Sequence, residues 1–269
     1  MRVPLFPLHT VLAPGIALPL HVFEERYRVM VRRCIDASQP FGVVLIREGS
    51  EVAPVAGEAA ELAIAGVGTF AEIREANRHA DGRWDLLVVG TGRFSVREVD
   101  TEEAPYLVAE VDPEDDDLGD PDEAAELVGR VGRRFVDYLR LLQPREGEIA
   151  LAVDVQVEVE VDEEDEGGDR DVDPDRDADA AADDGDDANG GHGPDLASLR
   201  VPDDPSALSF LLTGIVQVEP DRKQALLEAA TAEERLRDLD ELLGRELDLL
   251  RHRLGLYVPD RRGMVDRLN

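Results

Sequence analysis

The spacing of apolar residues divides this chain into a strand-rich first part and a helix-rich second part. It opens on VPLFPLHTVLAPGIALPLHVFEERYR, residues 3–28, an apolar run broken by Pro4, Pro7, Pro14 and Pro19. Each proline removes a helical hydrogen bond, so the run suits extended or edge strands with a turn at Ala13-Pro14-Gly15. Phe23, Tyr27, Met30, Val31, Cys34 and Ile35 then repeat with helical spacing and predict a helix of about three turns. Its acids come early (Glu24, Glu25) and its bases late (Arg32, Arg33), as the helix dipole prefers.

The period then shortens to that of strands. FGVVLIR (41–47) reads as a core strand. ELAIAGVGTFAEIREA (61–76) and RWDLLVVGTGRFSVREV (83–99) flank His79-Ala80-Asp81-Gly82, whose Asp-Gly is a strong hairpin signal. Gly66, Gly68, Gly90 and Gly92 fall inside strand patterns and predict bulges or sharp bends. PYLVAEV (105–111) adds another strand, and the set predicts a small coiled antiparallel barrel or sandwich.

Past the acidic joint DPEDDDLGDPDEA (112–124) the period lengthens again. Ala124, Leu127, Val128, Val131, Phe135, Tyr138, Leu139 and Leu142 mark a long amphipathic helix. Asp204-Pro205 reads as an N-cap with proline at the first helical position, ahead of Leu208, Leu211, Leu212 and Ile215. Pro220 opens a short helix through Leu226 and Leu227. Thr231 and Glu234 form a capping box before Leu236, Leu239, Leu242, Leu243, Leu247 and Leu250. Between the first two of these helices, residues 158–195 hold hardly any large apolar side chain and no aromatic. Such a stretch cannot offset its chain entropy by burial and reads as a disordered loop.

Charge sharpens this division. The chain of 269 residues has a net charge of -32. Residues 154–195 carry 19 Asp and Glu against 2 Arg, so about half of that charge sits in one stretch. An acidic surface repels phosphate backbones and anionic lipid headgroups, which argues against nucleic-acid or membrane partners. Cys34 is the only cysteine, which precludes an internal disulfide and fits a reducing, cytoplasmic setting. The prolines and the lack of a small-residue cleavage site argue that the opening run is retained rather than removed as a signal peptide.

Candidate chemistry is sparse. Lys223 is the only lysine, so a phosphate-binding Gly-Lys-Ser/Thr loop is absent, and a Ser-Lys dyad would need this residue at a charged, exposed helix start. His9, His21, His79, His192 and His252 are scattered, leaving Cys34 without a neighbouring base and offering no zinc-type pair. Asp173, Asp175 and Asp177 alternate like a calcium loop, but Ala178 and Asp184 stand where glycine and glutamate are needed. GVG (66–68) and GTG (90–92) lack a third glycine and a following helix, and read as strand bends. No catalytic residue, metal site or cofactor is assigned.

PLFPLHTVLAPGIALPLHVFEERYRVMV (4–31) resembles the opening of the Lon protease amino-terminal, substrate-binding domain. FGVVLI (41–46), GVGTFAEI (66–73), GTGRFSV (90–96), PYLVAEV (105–111) and TAEERLRDLDELLGRELDLL (231–250) follow in that family's order. The resemblance covers residues 1–150 and 196–258 and implies an α+β fold, a PUA-like antiparallel β-barrel followed by a helical bundle. On this reading residues 1–112 form the barrel with one helix, and 113–153 a linker and the first helix of the bundle. An acidic insertion at 154–200, the remaining helices at 201–258 and a tail at 259–269 complete it. Lon proteases continue into ATPase and protease modules that this sequence lacks, so it resembles the stand-alone form.

The resemblance implies a non-catalytic module for unfolded or client polypeptides, as adaptor or competitor for a protease. Its expected contact residues flank the first helix: Val22, Phe23, Glu24, Arg26 and Tyr27. Periodicity favours a core role for Phe23 and Tyr27, whereas Glu24 and Arg26 suit a polar rim. A small-ligand or RNA-binding PUA-like module is the alternative, opposed by the acidic surface. An enzyme site assembled from residues distant in sequence is the third reading.

Overall fold

The computed structural model describes residues 1–48, 63–142 and 202–256, all of which fall in one compact unit. The acidic run 158–195, the calcium-like aspartates and His192 lie outside them. The first part comprises β1 (Arg2–Leu8), β2 (Ala17–Val22), α1 (Glu25–Ala37), β3 (Phe41–Glu48), β4 (Ala63–Ile64), β5 (Val67–Arg78), β6 (Trp84–Asp100) and β7 (Val108–Glu114). The second comprises α2 (Pro121–Leu142), α3 (Pro205–Ile215), α4 (Pro220–Glu228) and α5 (Ala232–Leu256).

The sheet closes on itself in the order β1-β7-β6-β5-β3-β1. All its pairs are antiparallel except β1–β3, which closes the barrel in parallel with Leu5 opposite Gly42. β1 pairs with β7 over residues 2–4 and with β3 over residues 5–8. Each half of β1 is therefore bonded on one side, which leaves room for Pro4 and Pro7 without a lost ladder bond. β2 lies outside the ring and pairs only with β6, an edge position that tolerates Pro19.

The glycine pair of β6 does bulge the strand. Phe70 faces Gly92 and Ala71 faces Gly90, so Thr91 is the extra residue. Gly90 also receives the opening turn: Gly15 donates to its carbonyl at 2.8 Å, and its own N–H donates to Ile16 O at 3.0 Å. Gly15 has φ +76°, a left-handed conformation that suits glycine. Gly68 keeps regular register opposite Phe94, and Gly66 lies in the bend between β4 and β5.

One apolar cluster joins Phe6, Tyr27, Met30, Val31, Cys34, Phe41 and Val88 between α1 and the barrel wall. A second, with Val3, Leu5, Val44, Phe94 and Val111, lies on the opposite side of β1. A third fills the helical part with Leu127, Val131, Phe135, Leu212, Leu236, Leu239 and Leu243. Leu142, the last member of the α2 stripe, is exposed.

The helices begin where side chains satisfy their free N–H groups. Asp120 accepts from Asp122 N and Glu123 N before α2. Asp204 accepts from Ala207 N at 2.7 Å before α3, with Pro205 at the first turn. Thr231 Oγ1 accepts from Glu234 N at the start of α5, while Glu234 reaches back to Ala230 N, one residue earlier than in a standard capping box. The acidic stretch 112–124 runs first as the end of β7 and then along the start of α5. There Ala232 N donates to Asp117 O and Asp120 N to Glu233. Arg93 from β6 donates to Leu227 O and Ala229 O at 2.8 and 2.7 Å, joining the barrel to the end of α4.

Candidate functional site

The five residues singled out ahead of α1 separate into two groups. Val22, 2 % exposed, ends β2 opposite Trp84 and faces the core. Tyr27, 5 % exposed, packs its ring 4.3 Å from Phe6. These two are scaffold. Phe23 corrects the helical-stripe expectation: it is 56 % exposed. The helix starts at Glu25, with Glu24 as an extended N-cap, so Phe23 lies outside the helical repeat that would have turned it inward.

Beside Phe23, Arg26 Nε donates to Glu24 Oε2 at 3.0 Å, and its guanidinium lies 4.4 Å from the centre of the Tyr27 ring. Both side chains are about one-fifth exposed, so they form a partly covered polar margin. The other neighbour of Phe23 is the ring of His21, 6.4 Å away and nearly parallel.

His21 brings in a group that the linear sequence scatters. β2 and β6 align so that His21 stands opposite Asp85. Asp85 Oδ1 lies 2.5 Å from His21 Nδ1, and Oδ2 lies 2.6 Å from Nε2 of His79. The hydrogen bonds from His21 and then His79 hold the Asp85 carboxyl below the usual carboxylate range. Sequence reasoning missed this meeting because only the strand register brings residues 21, 79 and 85 together. A hairpin at Asp81-Gly82 accounts for His79 meeting Asp85 across the turn, but a local turn carries no information about β2. The donor atoms are engaged as hydrogen bonds, and the described residues contain no group of three or more His, Cys, Asp or Glu able to hold a metal ion.

Elsewhere the chemistry resolves into structure. Cys34 is buried and burial pushes its thiol up to about 11, the opposite of an activated nucleophile. Lys223 departs from the exposed position expected of it. It is half-buried, its Nζ donates to Gly214 O at 2.8 Å, and burial pulls its pKa below the ordinary amine value. No Ser-Lys dyad follows, because its bond goes to a carbonyl, while Ser209 Oγ donates to Ser206 O and accepts from Arg235. A cleft of ≈ 560 Å³ between α4 and α5 is lined by Glu228, Glu234, Asp238 and Arg237 together with alanines. Among the described residues no helix is long and apolar enough to cross a membrane.

Comparison with known proteins gives a consistent picture. Residues 2–245 match the substrate-binding domain of ATP-dependent protease La (LON). Lon protease 2 of Myxococcus xanthus is 32% identical over 127 residues, 47% of this chain and 15% of that protein. Lon protease of Anaeromyxobacter dehalogenans is 31% identical over 114 residues, 42% of this chain and 13% of that protein. This chain therefore aligns with only a small fraction of those proteases. Among solved structures, the Lon N-terminal domain protein from Xanthomonas campestris superposes with a TM-score of 0.51 at 22% identity, covering 91% of this chain and 98% of that one. The N-terminal domain of the Mycobacterium avium complex Lon protease gives 0.53 at 18% identity, with the same coverage. These two share the fold: a closed barrel followed by helices. With nine-tenths of its length matched, the chain belongs to the LON substrate-binding domain family.

Proposed function

We propose that the chain is a non-catalytic module that binds segments of unfolded or client polypeptides through the face around Phe23, in the cytoplasm and in the service of proteolysis. The observation that carries this reading is Phe23 itself, a large aromatic held 56 % exposed in the stretch between buried Val22 and buried Tyr27. A fully exposed ring costs about 1.5–3 kcal/mol relative to a buried one, and about half of that remains for a binding partner to recover at Phe23. Glu24 and Arg26 supply a polar margin of the kind that orients a bound segment. Membership of a substrate-binding family supports the general role.

The small-ligand or RNA-binding alternative gains nothing from these residues. The cleft at α4–α5 presents three carboxylates against one guanidinium, which opposes phosphate. The test is binding of a fluorescently labelled unfolded polypeptide to the wild type and to Phe23→Ala. The expected result is micromolar binding that weakens about tenfold in the variant. Equal binding by the two would move the site elsewhere, and no wild-type binding at tens of micromolar would sink the role.

A further inference from the structure

The corner where β2 meets the β5–β6 turn holds a cluster that polypeptide contact alone does not require. Asp85 uses both carboxylate oxygens on imidazoles, His21 at 2.5 Å and His79 at 2.6 Å. On the far side of the His21 ring, Nε2 lies 3.5 Å from Arg83 Nη1. A guanidinium only donates, so this contact suits a His21 ring with its lone pair on Nε2 and its proton on Nδ1, toward Asp85.

A proton added at Nε2 would set two donors face to face. Arg83 is tied in place: its Nε donates to Asp81 Oδ2 at 2.6 Å and its backbone N–H to Asp81 Oδ1 at 3.1 Å. Relief has to come from the His21 ring or the tip of Arg83. The ring lies 6.4 Å from Phe23, inclined 29° to it, and 6.3 Å edge-on from His79, so its movement is felt on the Phe23 face. Other charged groups pack around the corner, among them the Arg26–Glu24 pair beside Phe23. Arg28 of α1 lies against Gly82 and pairs with Glu25, and Arg78 of β5 lies over the Trp84 ring at 5.8 Å. Guanidinium only donates, so the two imidazoles are the groups of this corner with a nitrogen lone pair that can accept a proton.

We propose that His21, Asp85 and His79 form a proton-operated switch on the Phe23 face. Proton uptake displaces Arg83 from His21 and turns the triad from net negative to net positive, favouring acidic over basic polypeptide segments. The switch is a property of the corner, and only its effect on segment choice rests on the polypeptide-binding reading.

Two measurements test it. In the first, histidine ring NMR signals are followed from about pH 8 to about pH 5 in the wild type, His79→Gln and Arg83→Gln. The expected result is a His21 course that is coupled to His79 in the wild type and altered in both variants. One superimposable His21 course in all three proteins overturns the switch. In the second, two labelled peptides differing only in whether Asp or Arg flanks a central Phe are bound to the wild type and to His21→Gln/His79→Gln. Preference for the Asp peptide should rise about threefold between about pH 7.5 and about pH 5.5 in the wild type and stay constant in the double variant. A preference that does not move with pH, or moves equally in both proteins, overturns the switch. If neither peptide binds at either pH, the polypeptide-binding reading fails and the ring signals alone decide the switch.

Discussion

Among the described residues, Arg235 is the largest side chain completely withdrawn from solvent, and its guanidinium is answered atom by atom. Nε donates to Leu226 O at 3.2 Å, Nη1 to Ser209 Oγ at 2.7 Å and Nη2 to Asp116 Oδ1 at 2.7 Å. The Phe210 ring covers it at 3.8 Å. Burial works against its charge, and Asp116 works back toward it. Removing this side chain leaves a buried cavity against Phe210, takes one of two guanidinium partners from Asp116 and takes a donor each from Ser209 Oγ and Leu226 O. Arg235→Ala is expected to lose about 3–5 kcal/mol in urea unfolding, and Arg235→Lys should recover little because an ammonium cannot fill the same planar fork. Gly90 is constrained differently: a Cβ there would overlap the Ala13 carbonyl oxygen, a backbone atom that cannot swing aside. Gly90→Ala should cost about 1–3 kcal/mol in the same measurement and loosen the opening turn. Cys34 predicts an alkaline limb. Its thiol titrates at about 11 in the fold against 9.0 ordinarily, so the unfolded chain ionises first. The contribution is complete below pH 9.0 and is lost as pH rises toward about 11, a slope that Cys34→Ala should remove from stability measured against pH.

At the scale of elements, helix starts depend on short-range chemistry. The Asp204 carboxylate satisfies Ala207 N at the head of α3, and Asp204→Ala should cost about 1 kcal/mol in thermal or urea unfolding, with Asp204→Ser close to neutral. This locality explains what could be read in advance. Asp204-Pro205, Pro220, Thr231 with Glu234, and the Asp81-Gly82 turn each encode their structure within four residues, and all four mark the ends they were expected to mark. The barrel's parallel closure is different in kind, because β1 and β3 are brought together by the course of α1 and no residue of either announces the pairing. The candidate site divides along the same line. The stretch carrying Phe23 is legible, but the direction of Phe23 is not, because the helix begins only at Glu25 and the helical spacing of the apolar stripe does not hold two residues ahead of it. The His21–Asp85–His79 meeting was invisible, since it depends on a register between residues 64 positions apart.

For the whole molecule the governing quantity is a net charge of -32. Folding confines that charge to a smaller volume, and self-repulsion opposes the compact state. Added salt acts on two opposing contributions. It weakens exposed ion pairs such as Arg97–Asp112 and Arg245–Glu241, each worth about 0.2–1 kcal/mol, and it screens the summed repulsion of the excess acids. Asp and Glu outnumber Lys and Arg by 61 to 29, so many carboxylates have no possible cationic partner, and screening should win. The thermal midpoint is therefore expected to rise between about 20 mM and about 500 mM NaCl, a range over which the Debye length shrinks several-fold. Residues 158–195 carry 18 of those acids and 2 arginines, half of the net charge. A variant lacking 158–195 should show a clearly shallower rise with salt, while keeping the circular dichroism of sheet and helix that the described elements account for. An equally steep rise in the variant would place the repulsion among the acids outside 158–195.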